Sequence, residues 1–145
     1  APVKGEEYHH LLMLDMREAS EHAKILHHYA QLHAKTLDKA VVTKHLDELT
    51  RNLDGVEKNL NSLEQNIGAT DKTDISTQLT SIKAQQQTAR DNLEALKTEC
   101  AKATLDPAVV EEKSKAIYTA MMTAGEHHRH AMMKRGAREP GAPRK

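Results

Sequence analysis

Apolar residues recur along most of the chain at alternating steps of three and four, the spacing that lines one face of an α-helix. The cleanest run is Leu46, Leu49, Leu53, Val56, Leu60, Leu63 and Ile67, with polar residues filling the positions between them. It predicts a helix over 43–67. A second run, Ile75, Leu79, Ile82, Gln86, Ala89, Leu93, Leu96 and Cys100, predicts a helix over 71–104. Ahead of both lies a stripe through Leu12, Met16, Ala19, Ala23, Leu26, Ala30, His33 and Leu37, which predicts a helix over 6–38. A final stripe, Val110, Ile117, Met121, Ala124, His128 and Ala131, predicts one over 107–135.

Punctuation between the stripes is short. Gly68 suits a left-handed C-terminal cap and Thr70 or Asp71 a following N-cap. Asp38 or Thr43 is expected to cap the second helix, and Asp106-Pro107 to start the last, because proline at the first helical position gives up no needed N–H. Short links fold successive helices back on each other, so the expected fold is all-α, an antiparallel up-down-up-down four-helix bundle of long helices over 6–135. A long coiled-coil hairpin or a helical dimer is the alternative packing. Residues 1–5 are expected to be a flexible start, and 136–145, after Gly136, a flexible basic tail.

Composition explains how such a fold fills its core. The 145 residues include no Phe, no Trp and three Tyr, so Leu, Ala and Met supply the apolar volume. Alanines let helices approach closely, whereas a sheet sandwich would ordinarily use more aromatic and β-branched residues. The 21 Lys and Arg cancel the 21 Asp and Glu, which leaves no large positive field for a nucleic acid, and nucleic-acid binding is not expected. The closing positive charges, Arg129, Lys134, Arg135, Arg138, Arg144 and Lys145 against Glu126 and Glu139, read as a solvated tail. No apolar run reaches the length of a membrane span, which predicts a soluble protein. The start at Ala1-Pro2-Val3 is compatible with removal of a signal peptide, so a periplasmic or secreted location is expected over a cytoplasmic one.

What stands out is ten His and six Met in an otherwise plain chain. In an antiparallel bundle the start of the first helix lies beside the end of the last. This brings Tyr8-His9-His10, Met13 and Met16 to the level of Glu126-His127-His128-Arg129-His130 and Met132-Met133. Imidazole with thioether is a soft, mainly neutral ligand set suited to Cu(I), with zinc or nickel acceptable to the imidazoles. The expected metal ligands are His9, Met13, Met16, His128 and Met132. Secondary candidates at the same end are His10, His127, His130, Glu64 and Asp74. Glu7-x-x-His10 has the spacing used in carboxylate-bridged two-metal bundles, but the matching second motif is missing. The competing reading is plain packing: methionine as core filler and histidines as surface groups.

This placement resembles the haem-binding four-helix b-type cytochromes, which take one axial ligand from the first helix and one from the last. The resemblance implies Met13 or Met16 with His128 as ligands, and the lack of a Cys-x-x-Cys-His sequence makes any haem noncovalent. A second, looser concentration comprises His22, His27, His28, His33 and His45, with Cys100 near the opposite end. Of these, His33, His45 and Cys100 form a candidate Cys/His metal set. No phosphate loop, His-Glu-x-x-His, calcium loop or nucleophile elbow occurs, and no catalytic residue is assigned. A non-enzymatic interaction or assembly protein, binding a helical partner or a second copy, is the functional alternative to metal binding.

Overall fold

The computed structural model describes residues 5–138. Five helices follow in order: α1 (Glu6–Leu32), α2 (Lys39–Asn66), α3 (Ala69–Asp74), α4 (Ser76–Cys100) and α5 (Pro107–Arg138). Four are long and pack on one another as an all-α bundle, with the one-and-a-half-turn α3 leading into α4. The direction of each neighbour follows from its cross-links. His9 meets His128 and His27 meets the Glu111 carbonyl, so α1 and α5 run antiparallel. Asp15 with Asn59 and His22 with His45 do the same for α1 and α2. Lys83 with Glu64 and Arg90 with Asp54 set α4 against α2. Around the bundle the order is α1, α2, α4, α5, closing back on α1.

The stripes face inward. Every residue of the Leu46–Ile67 run is buried, as are Ile75, Leu79, Ile82, Gln86, Ala89, Leu93 and Leu96 opposite it. Ala19 and Ala23 of α1 and Ala120 and Ala124 of α5 lie in the same core, and side chains this small cost little conformational entropy to pack. Among the described residues no helix is long and apolar enough to cross a membrane.

The boundaries depart from the sequence expectation in several places, the end of α4 at Cys100 rather than residue 104 among them. The first helix ends at Leu32 rather than residue 38. Tyr29 Oη accepts the Asp38 N–H at 2.8 Å, and Asp38 Oδ1 accepts the Ala40 N–H at 2.9 Å; together they tie residues 33–38 into a link and start α2 at Lys39, not 43. His33, placed on the inward stripe by its spacing, is therefore a terminal, exposed residue, whereas Leu37 is buried from within the link. Gly68 is not a left-handed cap but extended, with φ −66° and ψ 156°, and it precedes α3 instead.

The expected single helix over 71–104 is broken at Ile75 (φ −107°, ψ 9°). There the Ser76 hydroxyl donates to the Thr73 carbonyl and the Thr73 hydroxyl to that of Ala69, so short polar side chains compete for helical carbonyls. Gly136 does not end the last helix, which continues through it to Arg138. Its start is as expected: Asp106 Oδ1 accepts the Ala108 N–H at 3.0 Å, with Pro107 as the first helical residue. Gly5, assigned to the flexible start, is buried at φ 89°; a Cβ there would stand 2.9 Å from Ile67 Cγ2. It fixes the beginning of α1 against the end of α2. Residues 1–4 and 139–145, with the rest of the expected flexible start and tail, lie outside the described residues.

Candidate functional site

The starting turns of α1 and the closing turns of α5 face each other across a cleft of about 470 Å³. On α1 the steps from His9 to Met13, Met16 and Ser20 keep one side of the helix toward it; on α5 Met121, Met122, Gly125, His128 and Met132 do so. Five of the chain's six methionines line this one cleft. Room for it comes partly from Gly125, where no atom stands within 4 Å of the position a Cβ would take. Arg17 and Arg129 complete the lining and bring positive charge to it.

His9 and His128 form the polar element of this end. Both are buried, with 1% and 5% of their surface exposed, and His9 Nδ1 and His128 Nε2 share a hydrogen bond of 2.9 Å. The ring centroids are 5.1 Å apart and the planes 27° from parallel. That centroid distance is close to the nitrogen separation plus one ring radius at each end, so the two nitrogens point at each other nearly head-on. One ring donates and the other accepts, so a neutral pair carries the same tautomer on both rings, Nδ1–H if His9 donates and Nε2–H if His128 does. Burial, reinforced by His9 and then His10, pushes the His128 pKa down to about 4. At neutral pH its imidazole is uncharged, the form in which a ring nitrogen can ligate a metal.

The structure thus brings His9, Met13, Met16, His128 and Met132 to one cleft, and His10 joins them from an exposed position, 3.5 Å from Glu6. His127 and His130 are not among the lining residues. Glu64 is engaged by Lys83 at 2.5 Å on the α2–α4 side, and Asp74 closes α3, its carbonyl accepting from Lys134 Nζ. Neither reaches the cleft, and the carboxylates of a two-metal site do not assemble. Among the described residues no group of three or more His, Cys, Asp or Glu side chains gathers as a metal site. No family profile, curated protein or solved structure matches the chain.

The second set is dispersed. His33 packs on the Tyr29 ring at 4.8 Å, His45 pairs with His22, and Cys100 is half-buried at the end of α4. Burial pushes the Cys100 thiol above its ordinary range, Lys39 and a side-chain hydrogen bond with Thr43 only partly opposing it. His27 and His28 bond to the Glu111 carbonyl and to Gln31.

Haem does not suit the cleft. The His128 Nε2 that would bind iron is 2.9 Å from His9 Nδ1, a separation through which no macrocycle passes, and the lining holds no Phe, Tyr or Trp to sandwich the ring.

The sequence patch at this bundle end includes Arg129 but not Met121, Met122, Arg17, Ser20 or Gly125. Met121 was legible as a core position, and the α5 spacing 121, 125, 128, 132 carried the signal for the row. Arg17 carried none, since a charge beside a core stripe is the ordinary solvated face of a helix.

Proposed function

We propose that the cleft between α1 and α5 binds one soft metal ion, with copper(I) preferred over zinc or nickel. The observation that carries this reading is the convergence of five thioethers and a buried histidine pair, its His128 held uncharged, on one cleft. Thioether sulfur favours Cu(I), while zinc and nickel would rely on the imidazoles. Charge points the same way. The ligands are neutral and Arg17 and Arg129 share the lining, so a monovalent ion meets less repulsion than a divalent one.

Binding takes the place of the histidine hydrogen bond. The donor ring shifts its proton to its other nitrogen, a tautomer change with no net proton loss, and both facing nitrogens then present lone pairs. To admit the ion the two facing nitrogens would part from 2.9 Å toward the roughly 3.3–3.4 Å of a tetrahedral site, and thioether sulfur from among Met13, Met16 and Met132 would fill its remaining positions.

Anaerobic Cu(I) titration against a chromophoric chelator tests the reading. We expect one equivalent bound, and at least a ten-fold loss of affinity in Met13→Leu/Met132→Leu, a change that preserves volume. Cu(I) affinity unchanged in that variant and in His9→Ala/His128→Ala rejects the site.

One observation favours a second reading, assembly through a helical partner or a second copy. Leu11, Leu14, Ile25 and Leu32 are 46–81% exposed and lie on the outward side of α1 at spacings close to multiples of a helical turn. Light scattering over a range of concentrations tests it.

A further inference from the structure

Two histidines far apart in the sequence meet on the opposite half of α1. His22 lies on the side of α1 that faces α2, His45 in the second turn of α2, and both are half-buried. Their Nδ1 atoms are 3.3 Å apart, with ring centroids at 5.6 Å and planes 60° from parallel. As a hydrogen bond between two nitrogens this is at the long end. The spacing also fits another arrangement. Two imidazole nitrogens, each about 2.0–2.1 Å from one tetrahedral ion, stand about 3.3–3.4 Å apart.

We propose that His22 and His45 form a chelating pair for a borderline divalent cation, zinc(II) foremost with nickel(II) and copper(II) in the same class, bridging α1 and α2. The site goes beyond the soft-metal cleft and does not depend on it. It lies thirteen residues farther along α1, about 20 Å at helical rise. It holds two imidazoles and no thioether, so its preference runs to borderline ions. Two protein ligands leave the remaining positions to water, which the partly exposed rings admit. To point both lone pairs at one tetrahedral ion, each ring pivots by about 35° off the line joining the two nitrogens. Their half-buried positions allow that movement.

The surroundings are mixed but permissive. Burial, then His22 and Lys44, lower the His45 pKa, and Glu48 opposes them; the ring is held in its neutral, ligating form. Glu48, one turn beyond His45, contributes negative charge beside the site, although it is ion-paired with Arg51. Chelation uses both Nδ1 lone pairs, so both rings carry their proton on Nε2. Because the pair joins two helices across the 33–38 link, ion binding stabilises the folded chain by mass action.

The test uses the full chain at neutral pH. Isothermal titration with zinc(II) is expected to show a site of about micromolar affinity that weakens at least ten-fold in His22→Gln and in His45→Gln. It is expected to persist in His28→Gln, an exposed control, and in Met13→Leu/Met132→Leu, which removes the thioethers proposed to hold copper. In the unsubstituted chain, zinc is expected to shift the ring-nitrogen resonances of His22 and His45, a readout that stands even where a variant folds poorly. Zinc binding of equal strength in His22→Gln and His45→Gln overturns the proposal. So does a titration in which those ring resonances stay in place up to millimolar zinc.

Discussion

A histidine buried without a counter-charge is stable only while neutral, and His128 shows what this implies for pH. Its folded pKa of about 4 lies below the ordinary 6.5. Between those values the unfolded chain takes up a proton that the folded chain refuses. The stability this ring contributes is therefore complete above about pH 6.5 and is lost as pH falls toward 4. From pH 7 to pH 5 the expected loss is about 2 kcal/mol. Urea unfolding at the two values is expected to show that difference, and His128→Gln to remove it; an unchanged pH dependence in the variant would contradict the assignment. Glu99 acts in a separate window. Its hydrogen bonds to Lys102 Nζ and to the Asp106 N–H hold its carboxyl below 4.5, so its contribution is lost only at still lower pH. The meeting of His9 and His128 was legible in the sequence, because antiparallel helices put the first turns of one beside the last turns of the other. Their direct hydrogen bond and the depth of their burial were not, since both depend on how closely α1 and α5 approach.

At the scale of the helix pair, α1 and α2 are registered by polar contacts rather than by the stripes alone. Asn59 Nδ2 donates to Asp15 Oδ2 at 2.7 Å and Asn52 Nδ2 to Glu18 Oε2 at 3.1 Å, seven residues apart on α2. Between them Gly55 makes room for the carboxylate: a Cβ there would stand 2.5 Å from Asp15 Oδ2. Alanine is ordinarily better than glycine inside a helix by about 1 kcal/mol. Here Gly55→Ala displaces a charged hydrogen bond worth about 1.5–3 kcal/mol, so a net destabilisation of about 1 kcal/mol is expected. In an Asp15→Ala background the same change is expected to stabilise by about 1 kcal/mol. Denaturant unfolding of the four chains measures this reversal, and additive effects would show that the close approach has no energetic role. The repeat Asn52-x-x-Gly55-x-x-x-Asn59 was visible in the sequence, but its partner was not, because the link at 33–38 sets which turn of α1 it meets. That same link decided His22–His45 and turned His33 outward. Spacing alone cannot foresee it, since the Asp38 N–H goes to a tyrosine hydroxyl nine residues back instead of continuing a helix.

For the whole molecule, the outward row Leu11, Leu14, Ile25 and Leu32 makes a specific prediction about assembly. If two copies pair through it, light scattering shows a mass that rises with concentration, and Leu14→Glu/Ile25→Glu holds the chain monomeric without loss of helix signal. A mass independent of concentration, equal in both proteins, removes the self-assembly reading. By itself the sequence determined the helical class, the inward stripes and the bundle end at which histidine and methionine gather. Each of these depends on local periodicity and on short links that force neighbours to run antiparallel. Only the tertiary structure decided that five thioethers share one cleft with a head-on histidine pair, that Glu64 is drawn away to Lys83, and that His45 meets His22 rather than Cys100. Those outcomes depend on the register and separation of helices distant in the chain. Links, caps and small-residue contacts set these, and a residue spacing within one helix carries no information about them.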